Sequence, residues 1–377
     1  MPVPPRQPHG LTRRQFVRSA TGGLGLLLAT GTVRGLATAC SGFQVRSTPN
    51  VLVLIQLSGG NDGLNTVIPL QDENYRRLRP TLALAPAQTL RLDEHHGLHP
   101  ACAGLHELYQ RGKITLLPQV SAAPTAGGHF AAGELWARGQ VRPDDDTGWL
   151  GRWLDQGQSN AAWSEDPAAI YFGQHLPPAL RSRQPHRLAQ IDPADACAPR
   201  SNRLRSNSPH GSPDGLFGRS LDRVVDLLRQ HPGTRLHCLT LGGFDTHRNQ
   251  AQQHAKQLRT LSEGLSAYQQ NLESHGLADR VLTMVWSEFG RQPAENAVRG
   301  TDHGTTGPVV LLGNRANAGI VGQTMTASPE PSAATDFRQI YATLLEDWLA
   351  SPAHAVLDRQ WAKLPLVRND PAYLPMP

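Results

Sequence analysis

The chain has 377 residues, which is enough for one large α/β domain or two smaller ones. With 39% hydrophobic and 18% charged residues it can bury a substantial core, and its 36 Gly and 30 Pro indicate many turns. The formal net charge of +5 belongs to residues 1–39, which hold five arginines and no acidic residue. Because the rest of the chain is formally neutral, we expect no nucleic-acid partner.

The N-terminal stretch has the features of an export signal. Residues 11–18 read LTRRQFVR, and the Gly-containing apolar run that follows is too short for a transmembrane helix. This pattern resembles a twin-arginine signal, and Ala37-Thr38-Ala39 fits its cleavage site. We therefore expect a signal peptide over 1–39, the twin-arginine translocase as export partner, and a location in the periplasm or cell envelope. Cys40 could instead carry a lipid, which would be the only attachment to the membrane.

Apolar runs and helical periodicity alternate along the rest of the chain. Runs bounded by turn residues predict buried strands at 50–57, 114–120, 235–241, 280–286 and 308–313. Pro118 predicts that the second strand ends nearby. Apolar spacings of three and four residues predict helices at 100–111, after 129, at 147–155, 214–230, 258–272 and 337–348. This order predicts an α/β fold with a mostly parallel sheet and helices on both faces, in one domain over 40–377 with a loop-rich excursion at about 155–215.

Acidic and histidine residues recur where the predicted strands end. The recurring residues are Asp62, His129, Asp245, His247, Glu288, Asp302 and His303. Since the carboxyl ends of parallel strands share one edge of a sheet, we expect these side chains to meet there. Mixed carboxylate and imidazole ligands suit Zn²⁺ or Mn²⁺ better than Ca²⁺. The sequence therefore predicts a centre with one or two divalent metal ions.

Three parts of this prediction stay open. Asp245 and His247 point to the same side only if the intervening backbone is extended. Glu288 and His129 could be metal ligands, supports of the ligands or acid–base groups. All of these polar residues could also merely tie loops together, because clustered polar groups are probabilistic evidence of function.

Several motifs, in this order, resemble a bacterial family, the domain of unknown function family 1501. They are LIQLSGGNDGLNTVIPL, TGWLGRWLD, GGFDTH, SEFGR, GTDHG and TDFRQIYATLLEDWL, which together extend over about 50–350. That family is similar to the alkaline phosphatase and sulfatase superfamily. The resemblance implies a three-layer alkaline phosphatase-like fold with a two-metal centre. It implies Asp62 as one metal ligand, Asp245 and His247 as ligands of one metal, and Asp302 and His303 as ligands of the other.

The resemblance also implies a nucleophile that this chain lacks at the expected place. Gly128-His129-Phe130 stands where family members commonly have Ser-His-Phe. A late histidine ligand has no clear counterpart either. Two functions therefore remain: a metal-dependent hydrolase of phosphate or sulfate esters, acting on a small-molecule or glycan ester, and a non-catalytic metal-containing binding or assembly protein of the cell envelope.

Overall fold

The computed structural model describes most of the chain from residue 48 onward. The described ranges are 48–121, 128–139, 146–158, 165–194, 215–328, 334–357 and 359–368. The predicted signal peptide and Cys40 lie outside them, so export and lipidation stay predictions. Among the described residues, no helix has the length and apolar character that crossing a membrane requires.

The strands fall where the apolar runs predict them, with additional short strands between. In chain order they are β1 (Val51–Leu57), β2 (Val67–Pro69), β3 (Leu90–Arg91), β4 (His96–Leu98), β5 (Ile114–Ser121), β6 (Ala169–Phe172), β7 (Leu188–Ile191), β8 (Leu236–Leu241), β9 (Val281–Trp286), β10 (Arg291–Glu295), β11 (Thr301–His303), β12 (Thr306–Leu312), β13 (Gly319–Ile320) and β14 (Thr335–Asp336).

Helices are also found at the predicted positions, and α1 and α8 are additional short ones. They are α1 (Glu73–Leu78), α2 (Ala103–Gln110), α3 (Gly128–Arg138), α4 (Trp149–Trp153), α5 (Leu216–Gln230), α6 (Gln250–Ser274), α7 (Phe337–Thr343) and α8 (Ala353–Val356). The Asp336 side chain begins α7 by accepting a hydrogen bond from the backbone N–H of Arg338, as N-cap residues do.

The central sheet has the order β13-β5-β12-β9-β1-β8-β6-β7, and β14 also pairs with β5. Of these strands, β12 is antiparallel to both of its neighbours, and the other pairs are parallel. The predicted fold class, an α/β fold with a mostly parallel sheet, is therefore confirmed. Residues 165–194, within the predicted excursion, add β6 and β7 to one edge of this sheet.

The two faces of the sheet are both covered by helices. In β1, Val51, Val53 and Ile55 pack with α2, α5 and α6 on one face. Leu52 and Leu54 pack with α3, α4, α7 and α8 on the other. A strand that is buried on both faces needs apolar side chains at every position, which is why β1 reads as a continuous apolar run.

One local expectation is corrected by the structure. The strand β5 continues past Pro118 to Ser121, because its pairing with β12 shifts register between Gly307 and Val309. A proline in such an irregular stretch removes no regular ladder hydrogen bond. In the polar stretch after Glu288, β10 and β11 pair as an antiparallel ribbon.

Candidate metal centre

The centre lies at the carboxyl ends of three adjacent strands, β8, β1 and β9. Asp245 follows β8, Glu288 follows β9, and the turn at Gly59 follows β1. Gly59 has a φ of 119° and lies so close to the backbone of Asp245 that a Cβ atom would clash with it. This close approach brings the loop after β8 against the turn after β1.

Three imidazole rings converge on one carboxylate oxygen, Asp245 Oδ1. The Nε2 atom of His247 lies 3.0 Å from it, that of His303 3.4 Å and that of His129 3.6 Å. His129, Asp245 and His303 each offer one ligand atom, and these three atoms lie within 4.8 Å of one another. The structure thus brings together four of the predicted site residues from three separate segments.

A buried carboxylate fixes the orientation of the His129 ring. Glu288 Oε1 lies 2.8 Å from His129 Nδ1 and also accepts a hydrogen bond of 2.8 Å from the Gly59 N–H. Because the Glu288 side chain is only 3% exposed and accepts from these donors, the proton of a neutral His129 ring belongs on Nδ1. Its Nε2 lone pair then faces Asp245, as in the carboxylate–histidine–metal arrangement.

Asp302 fixes the orientation of the His247 ring in the same way. Its Oδ1 atom lies 3.2 Å from His247 Nδ1 and accepts a weaker hydrogen bond of 3.3 Å from Asn296. These hydrogen bonds lower the pKa of Asp302, so it is anionic at neutral pH. Its side chain is 65% exposed, and the oxygen that the structure orients faces His247. The ligand role that the motif implies for Asp302 stays a prediction.

The rings of His247 and His303 lie unusually close to each other. His247 Nε2 and His303 Nε2 are 2.9 Å apart, which requires either a shared proton or a shared cation between the two lone pairs. Burial lowers the pKa of His303, and the hydrogen bond to Asp245 only partly opposes this effect. The neutral imidazole, which is the form that binds metal, is therefore favoured.

Asp245 remains anionic in this setting. Burial by itself raises the pKa of its carboxyl, but the hydrogen bond and the positive charge of Arg291 lower this pKa by more than burial raises it. The Arg291 Nη2 atom lies 2.6 Å from Asp245 Oδ1. Arg291 is absent from the predicted set, although the SEFGR motif contains it. The signal that could have found it is its place in that motif, three residues after Glu288 and at the start of β10.

The residues fit a divalent metal ion in both spacing and chemistry. Tetrahedral zinc with bonds of 2.0 to 2.1 Å separates its ligand atoms by about 3.3 Å. The separations of 3.4 and 3.6 Å from Asp245 Oδ1 to the Nε2 atoms of His303 and His129 are slightly longer than this value. Imidazole and carboxylate donors suit Zn²⁺ or Mn²⁺.

Asp62 lies apart from these converging rings. It is fully buried, with Arg79 Nη1 at 2.5 Å from its Oδ2 atom and Gln250 Nε2 donating to the same oxygen. Burial raises the pKa of Asp62, but the charge of Arg79 and the hydrogen bonds lower this pKa by more than burial raises it. The carboxylate is therefore ionised. Its Oδ1 atom has no hydrogen-bond partner among the described residues. The implied ligand role of Asp62 stays a prediction.

Replacement of Glu288 by Gln is expected to weaken Zn²⁺ binding by about 10- to 100-fold, as for other residues that orient a ligand. The amide loses the charge that holds the proton on His129 Nδ1. Isothermal titration with Zn²⁺ measures the change. The matched control is Glu295→Gln in β10, since Glu295 accepts from Thr81 and Leu82 and touches no histidine of the centre. Equal affinities of Glu288→Gln and the wild-type protein would show that Glu288 does not support the centre.

The comparison with known sequences agrees with the motifs. Residues 201–365 match the sequence model of a family described as "Protein of unknown function (DUF1501)". The predicted resemblance is thus confirmed over this segment, which contains Asp245, His247, Glu288, Asp302 and His303. The motifs at 54–70 and 147–155 precede it. No curated protein sequence matches the chain.

Solved structures with a similar fold include members of the predicted superfamily. One is an alkaline phosphatase superfamily protein from Vibrio parahaemolyticus, with 11% identity, a TM-score of 0.41, and coverage of 75% of this chain and 65% of that protein. Another is a putative sulfatase from Bacteroides thetaiotaomicron, with 11% identity, a TM-score of 0.42, and coverage of 84% and 76%. A third is murine ectonucleotide pyrophosphatase/phosphodiesterase 5, with 11% identity, a TM-score of 0.43, and coverage of 81% and 96%. These similarities concern the type of fold and assign no activity to this chain.

Proposed function

We propose that this protein is an exported, metal-dependent hydrolase of phosphate or sulfate esters. The observation that carries the proposal is the convergence of three imidazole Nε2 atoms within 3.6 Å of Asp245 Oδ1. Polar residues that only tie loops together would not need three histidines to direct the same ring nitrogen at one oxygen. Export through the twin-arginine pathway to the periplasm or cell envelope belongs to the same proposal.

The accessibility of the centre favours catalysis over a purely structural metal. Structural zinc sites are closed by four protein ligands, whereas catalytic sites keep an open position. The side chains of His303, His129 and Asp245 are 32%, 39% and 51% exposed, so an ester can reach them. A divalent ion bound there would neutralise the charge of the ester and lower the pKa of water.

The remaining residues of the centre have distinct roles in this proposal. Asp245, His129 and His303 would hold the ion, and Glu288 would keep the Nε2 atom of His129 directed at it. His247, which Asp302 orients, is either a further ligand or the group that accepts a proton from the attacking water. The water oxygen would form the new bond to phosphorus or sulfur while the bond to the ester oxygen breaks. The proton that the water loses would pass, by way of His247 when it is the base, to the ester oxygen, which leaves as the alcohol.

Water is the proposed nucleophile because the residue before His129 and the serine before Glu288 offer no free hydroxyl. Gly128 has none, and Ser287 is buried with its hydroxyl bonded to the Leu57 carbonyl at 2.6 Å and to the Asn61 N–H at 2.9 Å. The absence of a hydroxyl at Gly128 also favours the second candidate, a metal-containing binding or assembly protein of the cell envelope. In that case the centre would bind an anionic group without turning it over.

The full chain is expected to co-purify with a divalent metal and to hydrolyse aryl phosphates or aryl sulfates, and chelation should remove both properties. Metal content by mass spectrometry and release of nitrophenol measure the two. His275→Ala is a suitable control, because it changes an exposed histidine at the far end of α6, which has 25 residues and is therefore about 37 Å long. Bound metal without turnover of any ester would favour the binding protein, and no bound metal would contradict both candidates.

A further inference from the structure

Arg291 is a buried cation at the centre of the loops that carry the candidate ligands. Its side chain is 0% exposed. Its Nε atom donates to the Gly60 carbonyl at 2.8 Å, and its Nη1 atom donates to the Thr301 carbonyl, also at 2.8 Å. Its Nη2 atom contacts the Gly59 carbonyl, the Phe244 carbonyl at 3.0 Å and Asp245 Oδ1 at 2.6 Å.

These contacts reach the loop that supplies Asp245 and the strand that carries His303, and they reach His129 indirectly. The contacts to Phe244 and Asp245 hold the loop after β8, which supplies the Asp245 carboxylate. The contact to Gly59 holds the residue whose N–H donates to Glu288, and Glu288 in turn orients His129.

The third ligand is tied to Arg291 through the ribbon of β10 and β11. Arg291 pairs directly with His303 in this ribbon, and Thr301, whose carbonyl accepts from Arg291 Nη1, lies in the same strand as His303. One side chain therefore directly connects the turn after β1, the loop after β8 and strand β11, and it acts on His129 only through Gly59 and Glu288.

Only arginine can make this set of contacts. Its planar guanidinium presents five N–H donors in a fixed fork and stays charged at any physiological pH. A lysine ammonium would keep the charge but offers three donors from a single point, so it cannot span the carbonyls of all these segments.

Because Arg291 is charged, its removal can distinguish an effect on the geometry of the ligands from an electrostatic effect on the metal ion. A fixed cation 2.6 Å from a ligand oxygen repels a metal ion that binds to the same carboxylate. If charge alone mattered, removing Arg291 would tighten metal binding. If the geometry of the ligands matters more, removing it weakens metal binding.

We propose that Arg291 is a positioning residue that assembles Asp245, His129 and His303 into metal-binding geometry before the metal arrives. This inference rests on the metal site of the proposed function. It adds that the guanidinium network, and not the ion, holds the three loops together.

The test compares Arg291→Lys with the wild-type protein and with Arg235→Lys. Arg235 is a matched control, because it is also buried and donates to backbone carbonyls, of Asn50 and Leu349, but it precedes β8 and so lies at the opposite end of the sheet. Zn²⁺ affinity is measured by titration, and the geometry of the site is followed by the visible spectrum of the Co²⁺-loaded protein. We expect Arg291→Lys to bind Zn²⁺ about 10- to 100-fold more weakly and to lose intensity in the Co²⁺ bands, whereas Arg235→Lys matches the wild type.

Each outcome has a separate meaning. A wild-type protein that binds no metal would contradict the proposed function itself. Wild-type metal binding with equal or tighter binding by Arg291→Lys would overturn the positioning role and leave the metal site in place. If Arg291→Lys does not fold, nuclear magnetic resonance of the metal-free wild type decides. Slow hydrogen exchange of the Arg291 guanidinium supports the proposal, and fast exchange overturns it.

Discussion

Replacement of His303 by Ala is expected to weaken binding of Zn²⁺ or Mn²⁺ by at least about 100-fold, and with it any hydrolysis of esters. Substitutions of residues that merely orient a ligand cost 10- to 100-fold in affinity, so removal of a ligand atom should cost at least as much. His303 Nε2 lies 3.4 Å from Asp245 Oδ1 and 2.9 Å from His247 Nε2, so its loss leaves a gap in the centre. Isothermal titration and metal content after dialysis measure the effect.

A graded series of variants makes this prediction specific. His303→Ala should have the largest effect, Glu288→Gln an intermediate one, and His275→Ala none. Asp302→Asn belongs in the same series, because a loss as large as that of His303→Ala would establish Asp302 as a ligand. A smaller loss would identify it as the residue that orients His247. Unchanged affinity in His303→Ala would contradict the centre as described.

Replacement of Arg79 by Ala is expected to lower the free energy of unfolding by about 3 to 5 kcal/mol. Arg79 and Asp62 are both fully buried, and removal of the cation leaves an uncompensated carboxylate away from water. Arg79 also donates to Asn65 Oδ1 at 2.6 Å and to the backbone carbonyls of Gln292 and Pro293 at 2.9 and 2.8 Å. Loss of these bonds adds to the cost. Urea denaturation followed by circular dichroism measures it.

The double variant distinguishes an unpaired charge from simple loss of packing. Asp62→Ala combined with Arg79→Ala should cost clearly less than the sum of the two single substitutions, because neither charge is then left alone. Additive costs would show that the two side chains do not act as a pair. The metal affinity of Asp62→Ala, measured on the same sample, tests the ligand role that the motif implies for Asp62.

The positions of the strands and helices could be predicted because the buried faces of each element determine the spacing of its apolar residues. The strand β1 is apolar at nearly every position since both of its faces are covered. The stripe of Leu258, Leu261, Leu265, Tyr268 and Leu272 is buried on one side of α6, as its spacing predicts. The residues of the candidate centre could be predicted for a related reason, because parallel strands present their carboxyl ends at one edge.

Contacts between distant segments could not be predicted in this way. An apolar run indicates burial but not direction, so the antiparallel orientation of β12 is decided by its place between β5 and β9. The sequence around Asp62 likewise does not reveal that Arg79 neutralises its charge.

The sequence by itself therefore determined which segments are buried and which polar residues stand at the strand ends. The tertiary structure alone decided that Asp245 is the point on which the Nε2 atoms of His129, His247 and His303 converge, and that Arg291 connects the turn after β1, the loop after β8 and strand β11. The physical reason is that four of the five Arg291 acceptors are backbone carbonyls. A carbonyl is present at every residue, so no residue type marks it in a sequence.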